Sequence, residues 1–173
     1  AGEVYSWSRP LVLGHPEILR DNLKHAAVKA EIVEIETPEA AEFRPGRIEV
    51  LNPVALDLAA ITIGQVSAEA GKGAVEWVKA AVDLALGKRI DGIVTAPLNK
   101  EAMNLAGYVY AGHTELLGDR TDTRDYRMLL AAEKLKVVHV TVHMALNKVP
   151  ARLSIERVYN TIRLGGEALV DMG

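Results

Sequence analysis

Residues 91–115 read DGIVTAPLNKEAMNLAGYVYAGHTE, a short apolar run that gives way to residue types able to bind and catalyse. Asp91 to Ala96 reads as a buried strand, because Gly92, Ile93 and Val94 are small or β-branched and Pro97 stops the run. A helix is expected next, capped by Asn99, with Glu101 and Ala102 in its first turn and Gly107 closing it. Such a strand delivers Thr95, Asn99 and Lys100 at its carboxyl end, where open α/β sheets place their ligands. An ordinary strand-to-helix connection is the competing reading, and local pattern alone favours it.

The other segments fit the same class. Strands are expected at Leu11–Gly14, Glu31–Glu36, Arg47–Leu51, Met128–Ala132 and Val137–Val142. Helices are expected from Pro16 through Lys29, from a Ser67 cap to Leu86, from a Thr114 cap over Glu115–Gly118, and after Ser154. The long helix should bury Ala74, Val78, Ala81, Val82 and Ala85, and the last one Ile155, Val158 and Ile162. Gly71 and Gly73 cost helix propensity, which either a ligand near the backbone or close packing on a neighbouring strand would explain. They do not complete a GxGxxG fingerprint, because Glu76 stands at its last position, and no GxxxxGK[ST] loop is present.

Composition narrows the chemistry. With 173 residues, 49% hydrophobic, and a mean hydropathy of +0.09, the chain is expected to be globular, with one well-filled core or a little more. No stretch is apolar enough to span a membrane and AGEVYSWSRP is no signal peptide, so a cytoplasmic location is expected. The absence of cysteine excludes disulfides, thiol nucleophiles and thiolate metal sites. A net charge of −3 with interspersed signs argues against a nucleic-acid surface.

Among the five histidines, His15 reads as turn-filling, His25 as solvated and His139 as buried or half-buried. His113 lies at an expected helix start, a place for a phosphate or carboxylate; a loop hydrogen bond is the equal alternative. His143 ends an expected strand, where an imidazole serves as metal ligand or general base, although a lone one is more often neither.

RPLVLGHP from Arg9, VSAEAGKGA from Val66, IVTAPLNKEA from Ile93, GHTELL from Gly112 and VHVTVH from Val138 occur in one order across nearly the whole chain. Together they resemble the 4-hydroxythreonine-4-phosphate dehydrogenase family of pyridoxal phosphate biosynthesis. The resemblance implies a three-layer α/β/α fold of the isocitrate/isopropylmalate dehydrogenase kind, incomplete at both ends, with residues 1–173 as an internal portion of a two-domain enzyme. It implies a homodimer, NAD or NADP as oxidant, and a divalent metal (Zn, Co or Mg) as Lewis acid. Cofactor-binding residues are not identified. His113 and Thr114 would hold substrate, His143 would be one metal ligand, and Lys100 would serve the substrate or proton transfer.

Three departures stand out. The family's opening Gly-Asp-Pro-Ala-Gly type segment is absent, and two further ligand histidines would follow Gly173. His15 also stands where relatives commonly carry Asp. The implied reaction is oxidation of 4-phosphohydroxy-L-threonine followed by decarboxylation. Threonate- or erythronate-4-phosphate, or a dihydrodiol dicarboxylate, is the alternative substrate. A non-catalytic module binding a small anion through His113 and Thr114 is the alternative of another class, and a metal-dependent hydrolase a third.

Overall fold

The computed structural model of the chain describes residues 2–173 in two compact units, the first closing at Asp122 and the second spanning Thr123–Gly173. In the first, strands β1 (Val12–Leu13), β2 (Glu31–Ile35) and β3 (Arg47–Leu51) run parallel in the order β1-β3-β2. The central strand buries Val50, and β2 buries Ile32 and Ile35 while leaving Glu31 in water. The wholly buried Glu49 accepts the backbone N–H groups of Glu42 and Phe43 on one oxygen, at 3.1 and 3.2 Å. Those bonds hold Phe43 in a left-handed conformation, φ 52°.

Helix α1 (Pro16–Leu23) begins as expected at Pro16, with His15 as its cap: the imidazole Nδ1 accepts the Glu17 N–H at 3.3 Å. It closes at Leu23 rather than Lys29, because the Asn22 side chain donates to the Ile18 carbonyl and the chain turns through Lys24 and His25. Helix α2 (Ala68–Leu86) starts at Ser67, whose hydroxyl accepts the Ala70 N–H. Ala81 and Val82 are buried as expected, but Val75 and the two glycines replace Ala74 on the inner face. The reason is α3 (Lys100–Leu105): a Cβ on Gly71 would lie 2.0 Å from the Ala102 carbonyl oxygen, so only glycine lets the two backbones meet.

Asn99 caps α3 through the Ala102 N–H at 2.9 Å. At its other end Gly107 takes φ 87° while Gly107 and Tyr108 donate backbone N–H groups to Asn104 and Met103. This paired closure needs glycine in the left-handed position and turns Tyr108 onto Met103. Val75, Met103 and Leu116, the last from α4 (His113–Arg120), form the buried cluster, and each contributes about 1.5–3 kcal/mol by burial.

The expected strand over Asp91–Ala96 is not formed. Residues 91–98 run without strand pairing, and Val94 is 100% exposed. Strand propensity acts only when neighbours supply ladder bonds and a surface to pack on, and among the described residues none does so here.

Just before this segment, Arg89 grips Glu39 with Nε at 2.8 Å and Nη2 at 2.5 Å. Chiefly through this bond the Glu39 carboxyl is lowered from 4.5 to about 2. A depressed carboxylate stabilises the fold above its unfolded value and loses that contribution as pH falls through its folded one. Glu39→Gln should therefore flatten the decline of melting temperature between pH 4.5 and pH 2; an unchanged slope would assign that decline to other groups.

In the second unit, β4 (Leu129–Ala131) pairs antiparallel with β5 (Lys136–Val138), and α5 (Ile155–Asp171) follows its Ser154 cap. The expected strand over Val137–Val142 stops at Val138, since the Arg157 guanidinium takes the Val140 carbonyl at 2.8 Å in place of a ladder bond. On α5 the expected stripe is split: Val158 is half-buried, while Ile155 is 92% and Ile162 67% exposed. Thr161 and Gly165 are buried instead: Thr161 accepts a bond from Arg127 at 2.8 Å, and Gly165 gives room to Val138. No helix among the described residues is long and apolar enough to cross a membrane.

Candidate active site

A groove of about 1140 Å³ opens in the first unit, walled by β1 on one side and by the unpaired residues 91–98 on the other. Trp77 and Val78 of α2 line it, Phe43 and Arg89 stand on it, and Thr95 and His113 supply polar side chains. The charged residues Arg9, Glu39, Arg89 and Asp91 also line it, so the groove mixes apolar walls with polar groups, as small-molecule sites do.

His113 opens α4, and Thr114 sits inside the first turn rather than capping it. The cap is Gly112, which has no side chain to offer, so the leading N–H groups of α4 keep their capacity for an acceptor. With the helix dipole they favour an anion there. Lys100 is likewise the first residue of a helix, exposed and with no ion pair or hydrogen bond of its side chain among the described residues. A cation at that end opposes the dipole, and an anionic ligand would relieve both. Lys100 stands two residues beyond Leu98, which lines the groove.

A set of anchors behind this site was not foreseen. The Tyr108 hydroxyl donates to Glu76 on α2 at 2.6 Å, Lys79 pairs with the same carboxylate at 2.7 Å, and its ammonium lies 4.4 Å from the Tyr108 ring centre. The bond to Glu76, then burial, push the Tyr108 hydroxyl up to about 12, while Lys79 and Tyr108 hold Glu76 below its ordinary value. Tyr110 donates to Asp119 of α4 at 2.7 Å, and Arg120 of α4 grips Asp83 of α2 at 2.6 and 2.8 Å. The available sequence signals were the Glu76/Lys79 spacing and two tyrosines in alternation before Gly112.

His143 belongs to the second unit, exposed and in a left-handed conformation, φ 53°. Histidine tolerates this region better than most side chains, yet it is strained backbone of the kind found at functional positions. His139 is half-buried as expected, its Nδ1 3.3 Å from the Met128 carbonyl. No cluster of three or more potential ligands that could hold a metal occurs among the described residues, and one imidazole does not hold a divalent ion. A metal therefore does not fit on these residues alone.

The family model described as "Pyridoxal phosphate biosynthetic protein PdxA" matches residues 6–173. The chain belongs to this family. A 4-hydroxythreonine-4-phosphate dehydrogenase of Desulfosudis oleivorans is 42% identical over 166 residues, which is 96% of this chain and 49% of that one. A D-threonate 4-phosphate dehydrogenase of Salmonella typhimurium is 45% identical over 143 residues, 83% of this chain and 44% of that protein. Among solved structures, a 4-hydroxythreonine-4-phosphate dehydrogenase from Klebsiella pneumoniae matches with TM-score 0.87 and 39% identity, over 94% of this chain and 50% of that one. The chain thus has the α/β fold expected of the family, and spans about half the length of the relatives it matches.

Proposed function

We propose that this chain is the substrate-holding portion of an NAD- or NADP-dependent dehydrogenase acting on 4-phosphohydroxy-L-threonine, with decarboxylation following oxidation. The observation that carries the reading is His113 at the head of α4, over a helix start capped by glycine alone and on the wall of the groove. His113, Thr114 and the leading N–H groups bind an anionic group of the substrate and orient its hydroxyl. Lys100 pairs as a cation with the substrate or, in its neutral amine form, receives the hydroxyl proton as hydride leaves the carbon that bears the hydroxyl. The nicotinamide, when bound, supplies the hydride acceptor. His143 would offer one imidazole to a divalent metal, which would act as a Lewis acid on the substrate oxygens, and the assembly would be a cytoplasmic homodimer.

D-threonate 4-phosphate is the second reading, favoured by relatives of that name with up to 45% identity. Absorbance at the reduced-nicotinamide band, followed for the full-length protein with each substrate in turn, separates the two. No reduction with either would remove the dehydrogenase reading, leaving the anion-binding module. In the same assay His113→Ala is expected to lower kcat/KM about 10–100-fold, the worth of one charge-assisted hydrogen bond. Unchanged kinetics would clear His113 of a substrate role.

A further inference from the structure

The loop between α3 and α4 is short, and both of its ends are set by glycine: Gly107 in the left-handed conformation and Gly112 extended ahead of His113. Glycine ends leave the backbone free, so something else must fix where His113 stands. Val109 points outward at 87% exposure, while Tyr108 and Tyr110 pack against the Val75, Met103 and Leu116 cluster. Their hydroxyls reach different helices, Tyr108 to Glu76 of α2 and Tyr110 to Asp119 of α4.

We infer that Tyr108 is a positioning residue for substrate binding: its hydroxyl bond to Glu76 fixes the 107–112 loop on α2 and thereby sets His113 and the N-terminus of α4 against the groove. Three observations converge on it. The bond is short, at 2.6 Å, and charge-assisted. The accepting carboxylate is itself held by Lys79 at 2.7 Å, so it does not swing away. The far end of α4 is tied to the same helix by Arg120 and Asp83, so of the two polar ties to α2 the Tyr108 bond lies nearer in sequence to His113, beside the apolar contact of Leu116 with Val75. The inference rests on the reading of His113 and Thr114 as substrate-holding.

Tyr108→Phe keeps the ring on the core and beneath Lys79 and removes only the hydroxyl. Steady-state kinetics of the full-length protein with 4-phosphohydroxy-L-threonine, run well below its melting temperature, should show KM raised about tenfold with kcat within about twofold. Glu76→Gln keeps an acceptor for the hydroxyl but loses the charge and the Lys79 ion pair, so its KM should fall between those of the wild type and Glu76→Ala, which should reproduce Tyr108→Phe. A fall in melting temperature with unchanged KM in Tyr108→Phe would make the contact a structural tie and overturn the inference. A Glu76→Ala variant with the wild-type KM would overturn it too, because the hydroxyl would then have lost its acceptor without consequence. His113→Ala, measured alongside, separates the two levels: raised KM there with normal KM in Tyr108→Phe sinks the positioning role alone, and normal KM in His113→Ala removes the site reading and this inference with it.

Discussion

Gly71→Ala is expected to be among the most damaging single-methyl additions in the first unit. The new Cβ would fall 2.0 Å from the Ala102 oxygen, 2.2 Å from its carbonyl carbon and 2.7 Å from the Met103 nitrogen, all backbone atoms of α3. A rotamer change relieves none of these contacts, so α3 must move away from α2. Alanine gains about 1 kcal/mol in helix propensity, and overpacking of this severity costs about 3–4 kcal/mol. The steric term wins, with a net loss of roughly 2–3 kcal/mol and a melting temperature lower by about 4–12 °C. Gly73→Ala is the control, because its Cβ meets Leu56 and Trp77 side-chain atoms at 2.8 Å and beyond, and flexible side chains give way. Equal loss in both variants, by thermal denaturation, would contradict the close-approach account.

His143→Ala should give the largest functional effect. Loss of an outer-shell partner of a metal site already costs about 10–100-fold, so loss of a ligand should lower kcat at least about 100-fold and reduce bound metal in the purified full-length protein. His143→Gly adds a sign test. A left-handed side chain costs roughly 1–2 kcal/mol, and glycine gives back about 0.5–1 kcal/mol through unfolded-state entropy. With φ at 53°, that variant should be as stable as the parent or slightly more so, and inactive. Normal activity and metal content in either variant would contradict the ligand assignment.

What could be read from the residues depended on how local the cause was. Ser67, Asn99 and Ser154 cap their helices as read, since a cap needs only its own side chain and an N–H two or three residues on. Arg47–Leu51 also formed where its pattern placed it. Asp91–Ala96 failed because a strand is a property of two or more segments, and Val94 carries β-propensity without a partner. The inner faces of α2 and α5 shifted for a related reason: periodicity gives a stripe, while glycine contacts at Gly71 and Gly165 decide which side meets a neighbour. At the site, His113 and Lys100 were legible as helix-start residues, but the Tyr108 tie spans 32 residues, and the Glu76/Lys79 spacing and alternating tyrosines do not say which groups pair.

An extended, unpaired apolar segment is adhesive. Gly92, Ile93 and Val94 leave main-chain donors and acceptors facing solvent beside an exposed branched side chain, a template on which a second polypeptide can lay down a strand. Pro97, which lacks an N–H, interrupts that template three residues after Val94, and Asp91 places a charge at its head. Among the described residues the wall of the groove therefore carries open main-chain groups, bounded by a charge at Asp91 and by a proline at Pro97.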